Sequence, residues 1–138
     1  EALKQWQNAV RRFPDSEGAN LGLADAYYED GDRDQALRTY LRVVQINPKN
    51  AAAQNNAGLC YLDRKDMNNA GKHFQAAVAA NPRFAPALNN LGVVYQQQGD
   101  LVRAREYYRR ALSADPDYAP AKQNLEALQP TPGRAELG

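Results

Sequence analysis

The chain has one cysteine, one histidine and one tryptophan in 138 residues, and each scarcity removes a class of explanation. Cys60 is alone, so the fold cannot depend on an internal disulfide. His73 and Cys60 make no zinc site without carboxylates at ligand spacing, and none is evident. Serine is sparse, with only Ser16 and Ser113, and Gly-rich phosphate loops are missing. The convergent titratable groups of a catalytic centre are therefore lacking, and the expectation is no enzyme, no metal and no cofactor. A surplus of charge is absent too. Seventeen basic residues face sixteen acidic ones for a net charge of +1, which argues against nucleic acid as a partner. No apolar run approaches the ~20 residues that span a bilayer, and no signal-peptide pattern opens the chain, so membrane insertion is not expected. Neither a cytoplasmic nor a bacterial periplasmic location is selected by the sequence.

What is present is a period. Prolines stand at Pro14, Pro48, Pro82 and Pro116, each 34 residues after the last. Eight residues before each proline is an aromatic, namely Trp6, Tyr40, Phe74 and Tyr108, and four before that is Ala2, Ala36, Ala70 or Ala104. Between these blocks run Leu23-Ala24 with Tyr27, Ala57-Gly58 with Tyr61, and Leu91-Gly92 with Tyr95, at the three-and-four spacing of a helix face. Small residues at Ala24, Gly58 and Gly92 let one helix approach the next, and the aromatics fill the space around them. Asp32, Asp66 and Asp100 are placed to cap the second helix of each pair. Gly31 and Gly99 are placed to end the first in the left-handed conformation. Lys65 holds the equivalent position in the middle repeat, at an expected cost of ~1 kcal/mol. With Ala57 and Gly71 also thinning that repeat, it is expected to pack least well.

At these residues the sequence resembles the tetratricopeptide-repeat family, over nearly all of positions 1 to 129. The resemblance implies an all-α, right-handed superhelical solenoid of helix-turn-helix repeats. A second helix of a truncated repeat spans 2–14, and full repeats span 17–50, 51–84 and 85–118. A capping helix follows at 119–129, where Glu126 and Gln129 replace the small and aromatic residues that a further helix would need. A flexible tail, 130–138, ends the chain. Because the first helix lacks its partner, further repeats are expected before it. Alternatively, its face of Leu3, Trp6, Val10 and Phe13 pairs with a second copy.

The family binds partners on the concave face lined by the first helix of each pair. Carried onto this chain, that face contains Asp25, Tyr28 and Glu29, then Asn55, Asn56, Leu59, Leu62 and Asp63, then Asn89, Asn90, Val93, Gln96 and Gln97, and finally Asn124; Gly22 and Leu21 occupy further groove positions. Asn56, Asn90 and Asn124 recur in register and resemble the asparagine ladder of some family members. An asparagine offers both a donor and an acceptor to an extended backbone, but it also serves to bond neighbouring helices. The cations of the family's carboxylate clamp are missing from the groove positions, whereas Asp25, Glu29 and Asp63 are acidic. A basic or neutral segment is thus expected in preference to an acidic chaperone tail. The leading expectation is a scaffold or adaptor that binds a peptide or partner segment and belongs to a longer protein. Its alternatives are a self-association module and a substrate-recruiting domain of a larger enzyme such as a glycosyltransferase. His73, aligned with Tyr107, and Cys60, aligned with Val94, are expected to be structural. Arg103, Arg105, Arg109 and Arg110 are expected to form a solvated face.

Overall fold

A computed structural model describes residues 1–128 and shows eight α-helices and no strand among them. The helices are α1 (Ala2–Arg12), α2 (Glu17–Glu29), α3 (Arg33–Ile46), α4 (Ala51–Asp63), α5 (Met67–Ala80), α6 (Ala85–Gln97), α7 (Leu101–Ala114) and α8 (Ala119–Leu128). Gln129 and the expected tail, 130–138, lie outside the described residues. The chain divides into two compact units, Glu1–Pro82 and a second beginning at Arg83. The first contains α1 to α5 and the second α6 to α8.

Within each helix pair, the turn follows from four residues. The N–H of Asp32, Asp66 and Asp100 donates to the carbonyl of Tyr27, Tyr61 and Tyr95, each at 2.9 Å, closing the first helix. The residue before each aspartate must then take a positive φ, which is 84° at Gly31 and Gly99. Lys65 adopts it as well, at φ 60°, so the middle turn keeps the geometry of the others without the glycine. Each aspartate side chain next caps the second helix by accepting from the N–H of Gln35, Asn69 or Arg103. At the far end, the residue before proline is extended, with φ near −141° at Asn81 and Asp115, because proline excludes the helical region from its predecessor.

The core of each pair is an aromatic on a small residue. Tyr40, Phe74 and Tyr108 are buried, as are Ala36, Ala70 and Ala104 one turn earlier. In the first unit, Ala24, Ala36, Leu37, Tyr40, Ala57 and Cys60 form one cluster spanning α2, α3 and α4. In the middle pair Phe74 sits directly on Gly58 and is fully buried. On the other side of α5 is a hollow of about 410 Å³ beside Ala76, Ala79 and Ala80.

Candidate functional site

The first unit brings together several of the expected groove residues, but it also engages their polar groups. Asp25 accepts a hydrogen bond from the buried Tyr40 hydroxyl, whose pKa is raised by desolvation and by that carboxylate. Tyr28 lies under the guanidinium of Arg33, with its ring centroid 3.9 Å from Cζ. Arg33 also forms an ion pair with Asp63 at the end of α4. Burial raises the Tyr28 pKa, and Asp63 adds to the effect. A reciprocal pair, Arg64 with Asp34, joins the same two turns at 2.5 Å.

Of the three groove acids, Asp63 is paired with a cation, Asp25 keeps its charge while accepting from a neutral hydroxyl, and Glu29, exposed at the end of α2, has no ion pair among the described residues. Arg33 is the residue that sequence reasoning missed. Its position at the start of α3 excluded it from a face defined on first helices alone. The arginine one residue after a capping aspartate and the aspartate ending the next first helix, 30 positions on, were the available signal.

Leu21, Tyr28, Leu59 and Leu62 are half-buried, leaving apolar surface on α2 and α4. Gly22 does not present an open surface, because the Trp6 indole packs against it so closely that an added Cβ would stand 2.5 Å from the ring. Asn55 and Asn89 are only 5% exposed, which leaves little of either for a partner to touch.

The asparagine series has unequal members. In the second unit, Asn124 Nδ2 donates to Asn89 Oδ1 at 3.0 Å, an interhelix bond between α8 and α6. Asn90 is also engaged within the protein. Asn56 accepts a long 3.5 Å bond from Asn55 and keeps its own Nδ2 without a partner among the described residues. Val93 is half-buried, and Gln96 and Gln97 are exposed. Gln96 Oε1 accepts from the Tyr108 hydroxyl at 2.7 Å, and burial pushes that phenol up to about 12.

The titratable singletons serve packing. His73 stacks on Tyr61 with centroids 5.4 Å apart, as Tyr107 stacks on Tyr95 at 5.3 Å. Gln54 Nε2 donates to the Pro48 carbonyl, so its Oε1 faces His73 Nδ1 at 2.8 Å and selects the Nδ1–H tautomer. Cys60 is buried, and desolvation raises its pKa to about 11. No group of three His, Cys, Asp or Glu among the described residues is arranged to hold a metal ion. No described helix is long and apolar enough to cross a membrane.

The family profile described as tetratricopeptide repeat matches residues 1–50 and 21–83, and a second profile of the same description matches 85–118. No curated protein matches significantly. Among solved structures, "Crystal structure of MamA" is 23% identical with a TM-score of 0.82, over 91% of this chain and 74% of that one. "First TPR of Spaghetti (RPAP3) bound to HSP90 peptide SRMEEVD" is 21% identical with a TM-score of 0.77, over 88% of this chain and 94% of that one. "Arabidopsis OM64 TPR domain" is 19% identical with the same TM-score of 0.77, over 81% and 93%. At these identities the likeness concerns the fold.

Proposed function

Because the chain belongs to the tetratricopeptide-repeat family, whose helix pairs act as protein–protein interaction scaffolds, we propose that it holds an extended, neutral or weakly basic segment of a partner polypeptide along α2 and α4. The observation that carries this reading is the free Nδ2 of Asn56, on the same helix as the half-buried Leu59 and Leu62. An extended peptide presents carbonyls to such a donor and side chains to such leucines, so backbone and side-chain recognition are available together. The solved Spaghetti (RPAP3) domain with its bound HSP90 peptide supports a peptide as the class of ligand. An acidic peptide of that kind fits this chain less well, because Arg33 is already matched by Asp63 and no second groove cation accompanies it.

The test is a screen of immobilised decapeptides of neutral, basic and acidic composition, followed by calorimetric titration of the strongest binder. Asn56→Ala should weaken that binder by about tenfold, the value of one well-made hydrogen bond in a desolvated interface, at unchanged helicity. A preference for acidic peptides, or binding indifferent to Asn56→Ala, rejects the reading.

Self-association is favoured by a separate observation. Trp6 on α1 is 39% exposed, Phe13 just after the helix is 60% exposed, and no residue of α1 is buried. Part of the face expected from Leu3, Trp6, Val10 and Phe13 is thus accessible to a second copy. Sedimentation equilibrium tests this reading, and a strict monomer at micromolar concentration rejects it.

A further inference from the structure

The hollow in the middle repeat lies away from the face just discussed. Gln54 is two residues from Asn56, roughly 200° around α4, and Ala76 is two residues from Phe74 on α5. Its walls are Pro48, Lys49, Gln54, Ala76, Ala79 and Ala80. Each amide atom of Gln54 has a partner within the protein, the Pro48 carbonyl and His73, and the residue is 5% exposed, so it offers a stranger little. The polar group left at the rim is Lys49. Its side chain forms no ion pair among the described residues, and Glu17, which reaches the same loop, is held by Asn47 and Asn50 instead.

The first repeat shows one way in which this place is occupied. In the first repeat the residue aligned with Ala76 is Arg42, and the one aligned with Lys49 is Asp15. Arg42 Nη2 meets Asp15 Oδ1 at 2.7 Å, so a long side chain closes the space and ends on an opposite charge. In the third repeat Arg110, aligned with Ala76, lies over the Tyr107 ring instead, and Arg83, aligned with Lys49, bonds the carbonyl of Ala114 at 3.3 Å. Relative to the first repeat, the middle repeat lacks the long side chain and has reversed the charge it would have met. What fits is a partner side chain carrying the opposite sign to Arg42.

We propose that this hollow receives a glutamate side chain of a partner protein, with its aliphatic stem over Ala76, Ala79 and Ala80 and its carboxylate on Lys49 Nζ. Lys72, one turn before Ala76, adds positive charge along the same face of α5. The surface is separate from the proposed peptide-binding face, so the chain can engage two segments of opposite preference: neutral or basic along α2 and α4, acidic here.

The experiment is a backbone-amide NMR titration with the capped hexapeptide Ala-Ala-Glu-Glu-Ala-Ala, its glutamine counterpart, and inorganic phosphate as separate probes. The glutamate peptide should shift Lys49, Gln54, Ala76, Ala79 and Ala80. Lys49→Ala should weaken it about two- to fivefold, as expected for one solvent-screened charge pair. The double variant Ala76→Arg with Lys49→Asp rebuilds the pair already present in the first repeat, and should abolish these shifts while preserving helicity. Equal binding of the glutamine peptide or of phosphate overturns the proposal. So do shifts centred on Asn56, Leu59 and Leu62, binding that survives the double variant, or no shifts at all.

Discussion

Gly92 lies under the Tyr108 ring so closely that a Cβ added to it would stand 2.4 Å from the ring edge. Gly58 stands in the same relation to Phe74, at 2.5 Å. Both aromatics are fully buried, so neither ring has space to retreat. Gly92→Ala should destabilise the fold by about 1–3 kcal/mol, the usual cost of overpacking a core. Gly18, with nothing within 4 Å of its Cβ position, is the control. Gly18→Ala should stabilise by about 0.5–1 kcal/mol through helix propensity. Urea denaturation of the two variants reads the difference in sign, and two changes of the same sign would refute the close-approach account.

Lys65 carries a side chain at φ 60°, where Gly31 and Gly99 carry none. Its N–H nevertheless donates to the Leu62 carbonyl at 2.9 Å, as Gly99 donates to Gln96 at 3.0 Å, so the turn is complete and only the strain differs. Lys65→Gly should raise stability by about 0.5–1 kcal/mol, relief of the left-handed strain less glycine's greater freedom when unfolded. Gly31→Ala should lower it by a similar amount. A stability loss on Lys65→Gly in thermal denaturation would sink this prediction.

The helix pairs were legible because their determinants are local and repeated: a capping aspartate, a preceding glycine, a proline closing the second helix, and an aromatic set over a small residue. The site was less legible because its properties depend on pairings between helices. Asp63 reads as a free acid in sequence until Arg33, 30 positions earlier, is placed beside it. Asn124 reads as a rung of a recognition ladder until Asn89 takes its donor. The hollow of the middle repeat is lined by Ala76, Ala79 and Ala80, not by the Ala57 and Gly71 that made the repeat read as thin in sequence. Gly58 accommodates Phe74, whereas Ala76 leaves unfilled the space that Arg42 occupies in the first repeat.

His73 is the only histidine, so no other imidazole contributes to the dependence of stability on pH between 5.5 and 7.5. Burial lowers its folded pKa below the unfolded value of 6.5. The unfolded chain therefore binds the proton more readily. The stabilising contribution is fully present above pH 6.5 and is lost as pH falls through 6.5 toward the lower folded pKa. His73→Tyr reproduces the Tyr107 arrangement and should flatten that dependence. Urea midpoints measured at both ends of the range check this, and an equal slope in the variant would show that His73 is not the cause.

The ion pair of Arg33 with Asp63 is about half exposed at both ends, with side-chain exposures of 44% and 45%, so water screens much of its attraction. A double-mutant cycle of Arg33→Ala with Asp63→Asn should give a coupling of only about 0.2–1 kcal/mol. Its larger consequence is electrostatic. Arg33→Ala alone leaves the Asp63 carboxylate unmatched beside Tyr28 and should tighten binding of basic peptides over neutral ones in the calorimetric assay. Unchanged selectivity would mean that this charge lies outside the binding face.

Asn56 and Asn124 occupy equivalent positions, yet the structure assigns their amides different partners, and stability can separate the two. Asn124 Nδ2 reaches the Oδ1 of an asparagine that is 95% buried, so removing either partner strands a polar group in a poorly hydrated place. Asn89→Ala and Asn124→Ala should each cost about 1–2 kcal/mol, with a favourable coupling of about 0.5–1.5 kcal/mol between them, the net value of a buried hydrogen bond. Asn56 donates to nothing among the described residues, and its single accepted bond is long. Asn56→Ala should therefore leave stability within about 0.5 kcal/mol of the parent, as for substitutions that remove no strong interaction. If Asn56→Ala instead destabilises as much as Asn124→Ala, the two asparagines are structural alike and the donor proposed for the partner backbone is already in use. If it leaves stability unchanged but weakens peptide binding, the series divides into one asparagine that recognises and one that holds helices together.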